Sequence, residues 1–335
     1  MAFAGTGTAS PGGYNVNHTL TFESSFGSGI NVNADVWLGT ITGFTCRRID
    51  RNHYRKGLNG YSTWDDNTLL NRRYEGTITG EVNNGVPYAL ALGAIKGTTD
   101  PDLTTFRGYG HISGEGDFAA GATNEFMPSF AFSTQDEDDV NYGVKGATCT
   151  NGTFTTTKDS PTTFALDYVA QAVDPTDILT GATAETTVYG YHNTSLEYDD
   201  TNATTGVFGT SDGTITNWTE SVLTLTPTLE IEPNIDATTY RQPRFKAYSH
   251  AWSLTRYASD DDFWSTTDFP ATKDIAFRLD QDAGALQVPL DFQHVKLNDI
   301  EHGVDQDDLA VQRANFNMRY VFCDVEDGQT YVEHV

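Results

Sequence analysis

The sequence predicts a mainly β protein of two similar halves with short flanking helices, and three observations carry that prediction. Threonine supplies 48 of the 335 residues, and with Tyr, Phe and Val it suits pleated, half-buried surfaces. Side chains alternate with a period of two: Phe126, Pro128, Phe130 and Phe132 against Met127, Ser129 and Ala131, then Leu223, Leu225, Leu229 and Ile231 against Thr224, Thr228 and Glu230. That period gives a strand one buried and one wet face. Third, one succession of elements is read twice along the chain.

In chain order, residues 1–31 are rich in Gly, Ser and Asn without a sustained period, which predicts an extended N-terminal arm that orders only against a partner. Strands are predicted at 34–45, 74–82, 104–113, 126–132 and 163–170, with 50–71 as a loop. Pro87 and Gly93 bracket a short helix, proline being favoured in the first turn and glycine after the last. Residues 174–217 are polar, with one strand-like segment at 187–192. Strands follow at 223–231, 245–255, 275–279, 285–297 and 310–323, and Ser259 could cap a helix to Thr266. Asp280-Gln281-Asp282-Ala283-Gly284 reads as a hairpin turn. A boundary near Asp174-Pro175 divides the chain into an arm (1–31), a first β domain (32–174) and a second (175–335).

The repeat is read as follows. Arg73-Tyr74 starts a strand, and Arg244-Phe245 starts another 171 residues on. Each strand leads to a helix candidate, then to a strand with a central proline, Met127-Pro128-Ser129-Phe130 or Val288-Pro289-Leu290-Asp291-Phe292. Each half closes on Leu166-Asp167-Tyr168-Val169 or Met318-Arg319-Tyr320-Val321.

Charge excludes several functions. With 46 acidic and 20 basic residues the chain carries −26, so it lacks the basic face that grips phosphate backbones, and an anionic membrane repels it. No apolar run reaches the length of a membrane span, and the N-terminus has neither a charged nor an apolar signal region. Thirteen Arg and seven Lys leave the carboxylates unbalanced. Such self-repulsion is screened in molar salt, where the Debye length is about 3 Å, so the composition reads as halophilic. Cys46, Cys149 and Cys323 are odd in number and widely spaced, which predicts buried thiols rather than disulfides.

Catalytic and metal-binding motifs are not found. The eight histidines form no metal-binding pair, and neither a nucleophile elbow nor a phosphate-binding loop occurs. Gly108-Tyr109-Gly110-His111-Ile112-Ser113-Gly114 has its third glycine one residue too late for a dinucleotide fingerprint. Asp136-Glu137-Asp138-Asp139, Asp260-Asp261-Asp262 and Asp305-Gln306-Asp307-Asp308 lack the spacing of a calcium loop and read as solvated loops. No residue is assigned a catalytic, cofactor or metal role. Trp37, Trp64, Trp218, Trp252 and Trp264 suit core positions or, in a carbohydrate-binding protein, stacking platforms.

Tyr74-Glu75-Gly76-Thr77-Ile78-Thr79-Gly80-Glu81-Val82, Ala89-Leu90-Ala91-Leu92-Gly93, Met127-Pro128-Ser129-Phe130 and Tyr142-Gly143-Val144-Lys145-Gly146-Ala147 follow one another as in the major tail tube proteins of long-tailed viruses. Residues 288–297 through 316–320 look like that family's late hairpin. Over residues 35–324 the chain therefore resembles a tail tube protein, here of a virus of haloarchaea. The resemblance implies duplicated tail-tube β-sandwich/barrel domains and a non-enzymatic virion protein, made in the host cytoplasm. Its partners would be copies of itself, as trimeric pseudo-hexameric rings or as hexamers stacked into a tube, with tape measure, terminator and baseplate proteins. Viral DNA would pass through without specific binding, and no membrane or cofactor is involved. A head decoration protein, a tail terminator, or a halophilic carbohydrate-binding or hydrolytic β-sandwich stay as alternatives.

Overall fold

A computed structural model describes residues 17–23, 25–29, 35–55, 66–93, 95–96, 104–107, 127–135, 141–173, 187–199, 208–234, 237–257, 275–282, 287–304 and 310–325. These residues are mainly β, as the threonine content and the period of two predict. The first half contains β1 (Asn17–Phe22), β2 (Asp35–Val36), β3 (Thr40–Phe44), β4 (Arg47–Arg55), β5 (Asp66–Glu81), α1 (Val86–Leu92), β6 (Ile95–Lys96), β7 (Thr104–Arg107), β8 (Phe130–Gln135), β9 (Asn141–Thr157) and β10 (Thr163–Val173). The second contains β11 (Thr194–Asp199), β12 (Gly213–Thr214), β13 (Trp218–Glu230), β14 (Arg244–Tyr257), β15 (Ile275–Asp282), β16 (Gln287–Val304), β17 (Ala310–Met318) and β18 (Tyr320–Val325). All the pairings are antiparallel.

Hydrogen-bonded neighbours in the first half run β4–β5–β10–β9–β8–β1–β2, with β3 preceding β4 along the same edge of β5. In the second they run β13–β14–β17–β16–β15–β11–β12, the same order. Register recurs as well. Residues 163–170 of β10 face 81–74 of β5, and 311–318 of β17 face 257–250 of β14. Irregularities between Ile41 and Gly43, between Arg51 and Asn52, and between Phe130 and Phe132 return between Trp218 and Glu220, Thr228 and Leu229, and Ile275 and Phe277. The bulge at Thr150, opposite the Asp167–Tyr168 step, returns at Asn298, opposite the Asn315–Phe316 step. Gly146 and His294, four residues before these bulges, both have left-handed backbones, with φ of 61° and 51°. Left-handed residues and bulges bend a strand, so β9 and β16 each turn from one layer of a sandwich into the other.

Several expectations are corrected. Asn17–Phe22 is not part of an arm: β1 pairs with β8 along its whole length and buries Leu20 and Phe22 within the chain. Leu20 and Phe22 alternate with Thr19 and Thr21, which are buried as well. The supposed loop 50–71 is strand up to Arg55 and again from Asp66. At 187–192 no strand forms; Tyr191–Asn193 is a single 3-10 turn, closed by the Gly190 N–H donating to Asn193 Oδ1 at 2.7 Å. Residues 310–323 are broken at Arg319 into β17 and β18. Tyr168 corresponds to Phe316 rather than to Tyr320, because equivalent bulges place the halves 148 residues apart here. Residues 1–16, the Ser259–Thr266 helix and 108–113 lie outside the described residues.

The helix behaves as read. Pro87 lies in its first turn, and Gly93 ends it with a left-handed φ of 61°, its N–H bonded to the Ala89 and Leu90 carbonyls. All of Val86–Leu92 is buried. Tyr88 stacks on Phe154 at 4.1 Å and donates to Gln281 of β15, whose amide donates to Thr162 Oγ1. One continuous core therefore runs through both halves. In the second half Trp252 of β14 lies 5.0 Å from Phe277, 5.2 Å from Phe292 and 4.8 Å from Phe316, bridging the two layers.

His18 of β1 stacks on Phe132 with its Nδ1 unpartnered, and burial lowers its pKa to about 4. The unfolded chain takes up this proton near pH 6.5 and the folded chain does not, so stability is full above 6.5 and falls as pH drops toward 4. The loss is on the order of 2–3 kcal/mol. Comparing wild type with His18→Phe across that window isolates it: the difference between the two should change with pH, and parallel profiles would refute the assignment.

Candidate assembly surface

One layer of the sandwich crosses the boundary between halves. The last residues of β9 pair with β13, Leu223 facing Phe154 and Thr224 facing Thr153. The result is a layer eight strands wide, β4–β5–β10–β9–β13–β14–β17–β16. Its inner face carries Phe164, Phe154, Leu223, Trp252 and Phe316 in one row across five strands, all buried. Alternation then puts hydroxyls, amides and carboxylates on the outer face.

Across four adjacent strands of that outer face, Thr77 Oγ1 donates to Asp167 Oδ1 at 2.7 Å, Asn151 Nδ2 donates to Asp167 Oδ2 at 3.3 Å, and Thr226 Oγ1 donates to Asn151 Oδ1 at 2.8 Å. The next row holds Thr79, Ala165, Thr153, Thr224 and Ala251. Such side chains are short and largely uncharged, and the carboxylates among them repel phosphate. These two rows carry no basic side chain and have little to hold a polyanion, while Arg47, Arg73 and Arg313 lie on the same face toward the ends of the layer.

The two ends of the layer differ in charge. Six of the 13 arginines lie between Arg47 and Arg73, on the β4–β5 hairpin. Asp50 accepts from Arg72 at 2.7 Å and from Arg48 at 3.1 Å, and the Arg72 bond, with smaller attraction from both guanidiniums, holds its carboxyl below the usual range. At the other end, the second half of β16 presents Asp299 and Glu301. Beyond β4, and beyond Asn298–Val304 on the side away from β17, no described strand pairs with these ends.

Sequence reasoning assigned none of these residues to an assembly surface. Arg47–Arg55 has no apolar alternation, and the concentration of arginine in an acidic chain was its only signal. The clusters at 136–139, 260–262 and 305–308 and the glycine-rich 108–114 lie outside the described residues, among which no group of metal-binding side chains occurs. Trp218 and Trp252 are buried in the core, not displayed as platforms; Trp64 and Trp264 are outside the described residues. Cys149 and Cys323 are buried, but Cys46 is exposed, a correction that follows from its place in the link between β3 and β4 at the open edge of the layer. Among the described residues no helix is long and apolar enough to cross a membrane. No protein-family model matches the chain, and neither does any curated protein.

Proposed function

We propose that this chain is a structural subunit that assembles head to tail into closed rings, which stack into the hollow tail tube of a virus and conduct its DNA. The observation that carries the reading is the recurrence of one strand order, with its bulges, in two halves already joined edge to edge by β9 and β13. A chain that carries the same joint once internally, and two open ends outside, is built to repeat that joint with further copies. Closing such a layer on itself removes its edges. The hydroxyl-rich face would then line the bore. Each chain supplies two of six equivalent positions, so three chains close a pseudo-sixfold ring.

A single-ring role, such as a tail terminator, uses the same ring without stacking. Electron microscopy and mass measurement in molar salt separate these. Rings of three 36.7 kDa chains weigh about 110 kDa and stack into tubes. A ring of about 220 kDa would refute the twofold count, and monomers at all concentrations would refute the reading itself.

A further inference from the structure

The internal joint specifies, residue by residue, how one copy meets the next. In that joint Ser221 faces Thr156, Leu223 faces Phe154 and Thr224 faces Thr153. Ser221 stands to Leu254 on β14 as Phe44 stands to Ile78 on β5, and each pair follows the same irregularity. Thr153 stands to Ala165 on β10 as Glu301 stands to Arg313 on β17. The first half's counterpart of β13 is thus the β3–β4 edge, and the second half's counterpart of the end of β9 is the end of β16. Those are the two ends of the layer left without a described strand.

Resting on the ring reading above, we infer that the β3–β4 edge of one copy pairs antiparallel with the end of β16 of the next, with Phe44 opposite Val304, Thr45 opposite Gly303, Cys46 opposite His302 and Arg47 opposite Glu301. Two observations beyond the repeat support this register. Val304 is 66% exposed, whereas Thr156, its counterpart inside the joint, is 2% exposed, as is Ser221, the counterpart of Phe44. The contact therefore covers an exposed valine with a phenylalanine. Charge agrees as well: the basic hairpin meets the acidic end, and Arg47 falls opposite Glu301, a favourable cross-strand pair. The same residues repel in any arrangement that brings two β4 edges, or two β16 ends, together. Contact is therefore head to tail, the kind of contact from which rings are built.

Cys46 makes the register testable. Directly opposed residues of an antiparallel pair lie about 4.5–5.5 Å apart at Cα, within disulfide range, and the other two cysteines are buried. Purified His302→Cys protein, treated with a mild thiol oxidant in molar salt, should form reducible covalent dimers and trimers. Cys46→Ser/His302→Cys should form none. Gly303→Cys, whose side chain points to the other face in a place with room for a Cβ, should also form none. Independently, Arg47→Glu should abolish rings, and Arg47→Glu/Glu301→Arg should restore them, with circular dichroism confirming that each variant is folded. Rings that assemble while His302→Cys stays uncrosslinked, or that are indifferent to the charge reversal, would overturn this register and leave the ring reading standing. Folded protein that never forms rings would overturn both.

Discussion

Replacing Glu23 by alanine is expected to lower the stability of the chain by about 2–4 kcal/mol, because several buried neutral donors lose their common acceptor and each left unpaired costs about 1–3 kcal/mol. Glu23 is 2% exposed. It accepts the Ser129 hydroxyl at 2.6 Å and backbone N–H groups of Gly27, Gly29 and Gly146 at 3.1, 2.8 and 3.1 Å. These donors come from the turn after β1, the residue before β8 and the bend of β9, so one side chain fastens three segments. With alanine there, the donors are left facing a void. Glu23→Gln keeps one acceptor but turns an amide N–H toward other donors, so about half of the loss should persist. Denaturant unfolding at constant salt measures both. An alanine variant within about 1 kcal/mol of wild type would mean that water replaces the carboxylate.

The melting temperature should rise by about 10 °C or more between 0.1 M and 1 M potassium chloride, because the Debye length falls from about 10 Å to about 3 Å. A chain at −26 repels itself most when folded and compact. The measurement belongs at low protein concentration, since assembly also raises apparent stability. A neutral osmolyte stabilises by exclusion from the surface without screening charge, and is the control. A flat salt profile, or one that the osmolyte reproduces, would remove the halophilic argument.

By itself the sequence determined what local rules govern. Period-two alternation placed β10 and β13, because a half-buried strand must separate its apolar and polar side chains. The same pattern read at 126–132 found β8 only from Phe130 on, and Met127, Ser129 and Ala131 are buried there rather than wet. Pro87 and Gly93 bounded α1 through backbone constraints that need no neighbours. The repeat was legible as two similar halves, yet its alignment was not. It was displaced by four residues at β10 and by five at β5, where Tyr74 matches His250 rather than Phe245. It also matched Pro128, before β8, with Pro289 of β16, the counterpart of β9, because equivalent side chains such as Tyr168 and Phe316 differ in letter. What remained illegible was non-local. Arg47–Arg55 is a strand because β5 offers it hydrogen bonds along one side, not because of its own pattern. Asn17–Phe22 looks like part of a polar tail until β8, more than a hundred residues on, covers it. The β9–β13 joint, and with it the two open ends, comes from pairing between halves. Tertiary structure alone decides such pairing, since backbone hydrogen bonds carry no side-chain signature and any strand edge can accept another until shape and charge select one.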